Sequence, residues 1–330
     1  MRVWIIDLDY STHEIERAII RSELPDATIL DTGYDISDTL TKYGSEVAGI
    51  LAQIYASIDA ETMDRMPNLK AISVYGGGFD KIDVKAATER KIIVTRVPDY
   101  CNHEVTEFVL AAILRFAKRL DALSEQATTT GRWGTFVISD KPMDKWSTDE
   151  VEQLPQRVSG STLFIIGYGK IGRMLAKKAK ALGMKVLAYD PYVKEAEDAA
   201  LVPNLDDGLA QADFVSIHAI LTNETHNMIR TEQLRKMKRT AFLINASRGE
   251  VINEKDLIEA VNNKLIRGAA VDVVAQEPPD PARQILHTRG ILVSPHIAYG
   301  SITALHELRN RATKNMLLAI KGQKSPDAVN

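Results

Sequence analysis

A glycine-rich segment in the middle of the chain follows an apolar stretch that is typical of a β-strand. Residues 162–166 (TLFII) lead into Gly167, Gly169 and Gly172, which have the spacing G-x-G-x-x-G before a helical pattern. In such a turn the first glycine allows the tight bend, the second lets a pyrophosphate approach the backbone, and the third lets the helix pack on the strand. The N–H groups at the helix N-terminus then bind the phosphates. The segment predicts a dinucleotide-binding turn.

An acidic residue follows this turn at the distance that such a site requires. Asp190 ends the next strand-like run, eighteen residues after Gly172, which is close to the spacing of a ribose-binding acid. A carboxylate there accepts hydrogen bonds from the ribose 2′-hydroxyl and repels a 2′-phosphate, so NAD is favoured over NADP. The alternative is a tight turn without a ligand and a solvated acid. It is disfavoured because the strand, the glycines, the helix and the acid occur together.

Three further polar residues, Arg248, Glu277 and His296, each come just after a strand-like run. Open parallel sheets bind ligands at the carboxyl ends of their strands. Arginine offers a planar fork for a carboxylate, histidine exchanges a proton near neutral pH, and a glutamate can orient that histidine. Each residue alone also fits a solvated or locally hydrogen-bonded side chain, and spacing cannot place the three together.

Strand-like and helical patterns alternate along both halves of the chain, which favours parallel sheets covered by helices on both faces. The expected fold class is therefore α/β, with two doubly wound parallel-sheet domains. The expected strands are 3–8, 27–30, 47–54, 69–74, 92–97, 162–166, 186–189, 214–218, 241–245, 268–273 and 291–294, and the expected helices include 11–22, 83–90, 103–120, 171–182, 232–237, 254–262 and 301–321.

The length and composition agree with this organisation. At about 150 residues per domain, 330 residues suggest two domains, and 45% hydrophobic residues argue against disorder. Lys plus Arg number 41 against 44 for Asp plus Glu, which leaves no positive excess for a general nucleic-acid binder. The single cysteine, Cys101, excludes an intramolecular disulfide framework and a thiolate zinc cluster. The longest apolar run, 108–114, is too short to cross a bilayer. We expect a cytoplasmic protein with no membrane, nucleic-acid or metal partner.

The motifs and their order resemble those of the D-isomer-specific 2-hydroxyacid dehydrogenases. Residues 97–101 (VPDYC) followed by 103–105 (HEV) resemble the branch related to C-terminal-binding proteins and phosphoglycerate dehydrogenases. The family resemblance rests on segments spread over nearly the whole chain, namely 75–83 (YGGGFDKID), 167–172 (GYGKIG), 237–249 (MKRTAFLINASRG), 268–273 (GAAVDV), 277–278 (EP) and 295–296 (PH).

The resemblance implies roles for the polar residues. Arg248 would hold the substrate carboxylate and polarise the 2-keto oxygen, His296 would exchange a proton with that oxygen, and Glu277 would hold His296 in its working tautomer. Asp272 resembles the family position that binds the nicotinamide carboxamide. The remaining residues implied in cofactor binding are Thr106, Lys170, Ile171, Ala246 and Ser247, and those implied in gripping the substrate carboxylate through their backbone are Tyr75, Gly76 and Gly77.

The resemblance also implies a domain map. A Rossmann NAD-binding domain (103–296) would be inserted into a flavodoxin-like substrate domain (1–102 and 297–330), with a cleft between the two. Family members are usually homodimers built through the long helix near 103–123. The apolar stripe of that helix is compatible with a dimer and equally with core packing. The segment between Trp133 and Leu163, with acids at 149, 150 and 152, is longer than the usual family connection and forms either a surface excursion or an altered dimer contact.

The implied function is hydride transfer between NADH and a small 2-keto acid or D-2-hydroxy acid. A second candidate is an NAD(H)-sensing binding protein, related to the C-terminal-binding proteins, with little turnover. A third candidate function on the same fold is oxidation of a small anion such as formate or phosphite.

Overall fold

The computed structural model describes residues 1–147, 150–151 and 153–330. Its internal contacts divide the chain into two compact units: a first unit of residues 1–101 with 300–330, and a second unit of residues 102–299. Each unit contains one parallel sheet, so the expected fold class is confirmed.

The first unit has a five-stranded parallel sheet in the order β2-β1-β3-β4-β5, which is the flavodoxin-like order. Its central strand β3 (VAGILAQ) is buried along its whole length, as expected of a strand covered on both faces. The elements are β1 (Arg2–Ile6), α1 (Glu14–Glu23), β2 (Thr28–Thr32), α2 (Ser37–Tyr43), a 3-10 turn (Gly44–Glu46), β3 (Val47–Gln53), α3 (Ala60–Asp64), β4 (Ala71–Tyr75), α4 (Val84–Glu89), β5 (Ile93–Thr95) and, from the end of the chain, α11 (Ile302–Ile320).

Helix α11 belongs to the first unit because its apolar face packs on that sheet. Leu308, Ala312, Met316 and Ile320 recur every four residues and lie in the core of this unit. The contact is close: a Cβ atom at Gly49 in β3 would lie 2.5 Å from the Ile320 side chain. A larger residue at position 49 would therefore force the Ile320 side chain to shift.

The second unit has a seven-stranded parallel sheet in the order β12-β11-β10-β9-β6-β7-β8. The order reverses at β6 and β9, as in Rossmann domains. Its elements are α5 (Asn102–Lys118), α6 (Leu120–Thr130), 3-10 turns at Gly134–Val137 and Met143–Lys145, β6 (Thr162–Ile166), α7 (Lys170–Ala181), β7 (Lys185–Tyr189), β8 (Ala200–Leu201), α8 (Leu205–Gln211), β9 (Phe214–Ile217), α9 (Thr231–Lys236), β10 (Phe242–Asn245), a 3-10 turn at Gly249–Val251, α10 (Glu254–Asn262), β11 (Gly268–Val271), a 3-10 turn at Gln284–His287 and β12 (Ile291–Val293).

The long helix expected over 103–120 ends earlier and is followed by a second helix. Arg119 has a positive φ of 51°, which breaks the helical path between α5 and α6. Val109, Ala112 and Ile113 of the apolar stripe are buried in the core of the second unit. Core packing therefore explains the stripe, and the homodimer stays a prediction.

The segment after α6 has little regular structure. Glu150 accepts hydrogen bonds from the N–H and the hydroxyl of Ser147 at 2.7 and 2.8 Å, and these bonds lower its pKa to about 2. The other two acids of this segment, Asp149 and Glu152, lie outside the described residues. Within the described part of the chain, no helix has the length and apolar character needed to cross a bilayer.

Candidate active site

The glycine-rich turn joins β6 to α7, and its geometry requires glycine. Gly167 has φ of +92°, and a Cβ atom there would lie 2.7 Å from the backbone of His218 and Ala219. A Cβ atom on Gly172 would lie 2.3 Å from the Gly167 carbonyl oxygen. By contrast, a Cβ atom on Gly169 would have no neighbour within 4 Å. The first and third glycines therefore allow close packing, and the second leaves an open approach to the backbone.

The N-terminus of α7 faces this approach. Its N-cap is Gly169, which has no side chain to accept from the first-turn N–H groups of Lys170, Ile171 and Gly172. Such a helix N-terminus attracts anions through its N–H groups and its dipole. The turn therefore fits the pyrophosphate of a dinucleotide.

Asp190 lies beside the same turn. One of its carboxylate oxygens accepts from the Tyr168 N–H at 2.9 Å and the other from the Tyr192 N–H at 3.0 Å. A carboxylate oxygen can accept more than one hydrogen bond, so both oxygens keep capacity for ribose hydroxyls. The Asp190 carboxylate therefore fits the hydroxyls of an adenosine ribose as an acceptor, and the N–H groups of the turn fit the pyrophosphate as donors.

His296 and Glu277 are in direct contact. His296 Nδ1 lies 2.6 Å from Glu277 Oε2, and the two side chains are only 15% and 18% exposed. The other oxygen of Glu277 accepts from the Val274 N–H at 3.0 Å, which fixes the carboxylate in the loop after β11. Because Nδ1 faces Glu277, Nε2 is the nitrogen on the other side of the ring.

Asp272 anchors the loop that carries His296. Its carboxylate accepts from the Ser294 hydroxyl at 2.6 Å, the Ile297 N–H at 3.0 Å and the Ala298 N–H at 2.8 Å. Asp272 itself is 2% exposed. These bonds hold His296 in the left-handed region, with φ of 50°, which is uncommon for a residue with a side chain. The role of Asp272 toward nicotinamide stays a prediction.

The turn carrying Arg248 is also held by hydrogen bonds. Asn245 accepts from the N–H and hydroxyl of Ser247 at 3.0 and 2.8 Å and donates to the Arg248 carbonyl at 2.9 Å. A Cβ atom at Gly249 would lie 2.0 Å from the Val274 carbonyl carbon. The turn that contains Ala246, Ser247 and Arg248 is therefore packed against the loop that contains Glu277.

Thr106 is completely buried in α5. Its hydroxyl donates to the carbonyl oxygens of Asn102 and His103 and accepts from Lys178 Nζ at 2.9 Å. Two of these bonds lie within α5 and the third links α5 to α7, and the cofactor contact of Thr106 stays a prediction.

The first unit contains the remaining predicted residues. Tyr75 is 2% exposed, and its hydroxyl donates to Glu16 at 3.1 Å. Burial, and then the charge of Glu16, raise the pKa of Tyr75 well above its usual value. The Gly76 N–H donates to the Val74 carbonyl at 2.9 Å, and Arg96 donates to the Gly77 carbonyl at 3.2 Å. The predicted carboxylate grip would therefore rely on backbone beyond Gly76.

Comparison with known proteins identifies the family. Residues 110–298 match the NAD-binding domain of the D-isomer specific 2-hydroxyacid dehydrogenases. The chain belongs to the D-isomer specific 2-hydroxyacid dehydrogenase family. It is 37% identical over 286 residues to a glyoxylate reductase of Thermofilum pendens, a match that covers 85% of this chain and 80% of that protein.

Solved structures of similar fold extend over both units. A protein from Thermus thermophilus is 28% identical with a TM-score of 0.84, and the match covers all of both chains. An NAD-dependent formate dehydrogenase from Staphylococcus aureus, solved with NAD, is 20% identical with a TM-score of 0.84, and the match covers 100% of this chain and 99% of that one. At 20% identity, the match to the formate dehydrogenase shows similarity of fold only.

The predicted family, oxidoreductase class and NAD cofactor are confirmed for this 2-hydroxyacid dehydrogenase. The narrower branch related to C-terminal-binding proteins stays a prediction. Two residues that position the site, Asn245 and Ser294, were not singled out from the sequence. Asn245 and Ser294 are polar residues at strand ends, which is the signal that could have identified them. His218 lies at the end of β9, where its Nε2 is 2.8 Å from the Ser216 hydroxyl.

Proposed function

We propose that this dehydrogenase transfers a hydride between NADH and a small 2-keto acid, forming the D-2-hydroxy acid, and catalyses the reverse reaction. The observation that carries the proposal is the 2.6 Å contact between His296 Nδ1 and Glu277 Oε2. A histidine paired with a carboxylate through one nitrogen is suited to exchange a proton through the other. In this proposal the nucleotide domain is 103–296, and the substrate domain is 1–102 with 297–330.

NAD, when bound, would supply or accept the hydride. The side chains and backbone of the protein bind the cofactor and the substrate and exchange the proton. The N–H groups at Gly169–Gly172 hold the pyrophosphate, and Asp190 holds the ribose hydroxyls. The charge of Asp190 disfavours a 2′-phosphate, so we propose a preference for NAD over NADP. Further cofactor contacts are assigned to Thr106, Ala246, Ser247 and Asp272.

His296 provides the proton in the reduction. As the hydride reaches C2 of the keto acid, the C2 oxygen gains negative charge and takes the proton from His296 Nε2. The neutral imidazole regains a proton from solvent before the next turnover. Glu277 keeps Nδ1 protonated and stabilises the imidazolium, as a carboxylate does for a catalytic histidine.

Arg248 holds the substrate. Its guanidinium presents parallel N–H groups that match a carboxylate, and its positive charge also stabilises the developing charge on the 2-oxygen. The bonds from Asn245 and Ser247 support this role because they fix the backbone from which the side chain extends. A second grip on the carboxylate is assigned to the backbone of the segment from Tyr75 to Gly77, through the Gly77 N–H, because the Gly76 N–H is already bonded to Val74.

The test is a panel of glyoxylate, pyruvate, hydroxypyruvate, phosphohydroxypyruvate and phenylpyruvate, each assayed with NADH and NADPH. We expect turnover with at least one acid and a higher kcat/KM with NADH. Glyoxylate is the first candidate because a 37% identical relative is named a glyoxylate reductase. Tight NADH binding without turnover of any acid would instead indicate the nucleotide-sensing function. Turnover confined to formate or phosphite would indicate oxidation of a small anion.

A further inference from the structure

A lysine-lined cavity lies in the first unit, at the amino ends of strands β4 and β5. Its volume is about 640 Å³. Lys70 and Lys91 precede these two strands, and Lys321 and Lys324 follow the end of α11. The four lysines thus come from three separate parts of the chain and converge on one opening.

The charges around this cavity are unbalanced. Lys321 Nζ pairs with Glu23 at 2.6 Å. Across the described residues, Lys70, Lys91 and Lys324 have no carboxylate, side-chain or terminal, within ion-pair distance, and no Asp or Glu side chain lines the cavity. Like charges that converge without a counterion repel one another over distances of about 8–10 Å at physiological salt. An anion in the cavity would remove that repulsion.

Helix dipoles account for part of the arrangement. Basic residues after a helix C-terminus complement its negative end, which explains Lys321 and Lys324 after α11 and Lys91 directly after Arg90, the C-cap of α4. Lys70 precedes strand β4, where no such dipole acts. A helix terminus therefore does not explain the presence of Lys70 at the same opening.

Hydrogen bonds hold the wall of the cavity in place. The Val329 N–H donates to the Val94 carbonyl at 2.9 Å, and the Asn330 side chain accepts from the Val94 N–H at 2.8 Å. Ser325 is 2% exposed, and its hydroxyl donates to Asn315 at 3.0 Å. These bonds attach the segment after α11 to the edge of β5 and so hold Lys324 beside the opening.

The floor of the cavity is apolar. Ile93, Ala319 and Ile320 line it beside the polar side chain of Gln323. A ligand that fits has negative groups at the lysines and a small body over the floor. The cavity also lies away from the predicted substrate grip, because strand β4 separates Lys70 from Tyr75 and five residues of strand span about 16 Å.

We propose that this cavity is a binding site for a small anion with three or more negative charges, carried on phosphate or carboxylate groups. The site lies within the first unit and is independent of the hydride-transfer proposal. The lysines supply charge-assisted hydrogen bonds, and binding is expected to weaken as the salt concentration rises.

The experiment is calorimetric titration of the full chain at low ionic strength, saturated with NAD so that the glycine-rich turn is occupied, with inorganic pyrophosphate and citrate as separate probes. We expect saturable binding of one anion per chain for at least one probe. The triple variant Lys70→Gln, Lys91→Gln, Lys324→Gln should bind at least about tenfold more weakly, because it loses the three unpaired charges. Pyrophosphate binding alone would indicate a phosphate ligand, and citrate binding alone a polycarboxylate.

The control is Lys42→Gln, Lys81→Gln, Lys85→Gln, which removes the same net charge from exposed positions of the first unit. It should bind like the parent chain. The proposal would be overturned if neither probe binds saturably. It would also be overturned if the two triple variants bind the probe with the same affinity, whether reduced or unchanged from the parent. Binding only to vesicles rich in phosphatidylglycerol would also overturn it and indicate a lipid surface. Thermal unfolding of each variant checks that the folded state is retained.

Discussion

The backbone N–H of His296 donates to the carbonyl oxygen of Asp272 at 2.8 Å, while the Asp272 carboxylate accepts from Ser294, Ile297 and Ala298 on either side of His296. One buried residue at the end of β11 thus fixes both the backbone of the proposed acid and its flanking residues. Asp272 is therefore a positioning residue for His296.

Asp272→Ala should lower both stability and turnover. The substitution leaves three donors without their acceptor, and the Ala298 N–H among them is buried, where an unsatisfied donor costs about 1–3 kcal/mol. We expect the urea midpoint to fall and kcat to fall with it. Asp213→Ala is the matched control, because Asp213 accepts from the Thr162 N–H at 2.8 Å and from Lys238 away from His296. It should lower stability but leave kcat unchanged under folding conditions. If Asp272→Ala keeps full kcat, the positioning role is wrong.

His296→Gln should remove most turnover while NADH still binds. A positioned proton donor contributes about 10²- to 10⁴-fold to the rate, and glutamine cannot supply that proton. Glu277→Gln should give a smaller loss, because the amide can still meet Nδ1 but carries no charge to stabilise the imidazolium. Steady-state kinetics and fluorescence titration with NADH measure the two effects. His226→Gln, at an exposed position, serves as the control. Equal turnover of the His296 variant and the parent would refute the assignment.

Arg248→Lys tests whether the planar fork matters or only the charge. Lysine keeps the positive charge but cannot make two parallel hydrogen bonds to a carboxylate. We expect KM for the keto acid to rise and kcat/KM to fall by about 10- to 100-fold, since each charge-assisted bond contributes about 1.5–3 kcal/mol. Arg230→Lys, whose side chain is 63% exposed, should behave like the parent. An unchanged kcat/KM for the Arg248 variant would contradict the carboxylate grip.

Asp190→Ala should narrow the preference for NADH over NADPH. Removing the carboxylate takes away the ribose acceptor and the charge that repels a 2′-phosphate. We therefore expect kcat/KM for NADH to fall, and the ratio of kcat/KM for NADPH to kcat/KM for NADH to rise. Asp190→Asn separates the two causes, since the amide keeps one acceptor for the Tyr168 or Tyr192 N–H. Asp198→Asn removes the same charge from a nearby acid that pairs with Lys180, and its ratio should not change. If the ratio of kcat/KM for NADH to kcat/KM for NADPH is the same in both Asp190 variants as in the parent chain, Asp190 does not bind the ribose.

The sequence was most informative where one residue type satisfies a backbone requirement. Gly167 and Gly172 could be assigned because a Cβ atom at either would collide with backbone. The pairing of Glu277 with His296 could not be read from spacing, since it depends on how the loops after β11 and β12 meet. At the level of the sequence, only the resemblance to a known family linked Glu277 with His296.

The sequence was least informative where an element is short or its partner is distant. Strand β8 has two residues, and α8 follows it with Asn204 as its N-cap, whose side chain accepts from the Asp207 N–H. The Asn204 and Asp207 spacing could have indicated that helix. The break at Arg119 had no comparable signal, because the helical pattern continues on both sides of it.

His218 predicts how stability depends on pH. Burial lowers its pKa from 6.5 to about 4, and its Nε2 lies against the Ser216 hydroxyl at 2.8 Å. Well above pH 6.5 the ring is neutral in the folded and the unfolded chain, so its titration does not affect stability. Between pH 6.5 and 4 the unfolded chain binds a proton that the folded chain does not, and stability falls as the pH falls. At pH 4.5 this loss is about 2 kcal/mol, since one pKa unit corresponds to about 1.4 kcal/mol and His218 is partly solvated.

His218→Gln removes this titration but keeps an amide near the Ser216 hydroxyl. Urea midpoints at pH 7 and 4.5 should therefore differ less in the variant than in the parent. Carboxylates that titrate in this range affect both chains equally, so they cancel in the comparison. His226→Gln removes an exposed histidine and should keep the pH dependence of the parent. If the His218 and His226 variants lose the same stability between the two pH values, burial of a neutral His218 is not the cause of the acid sensitivity.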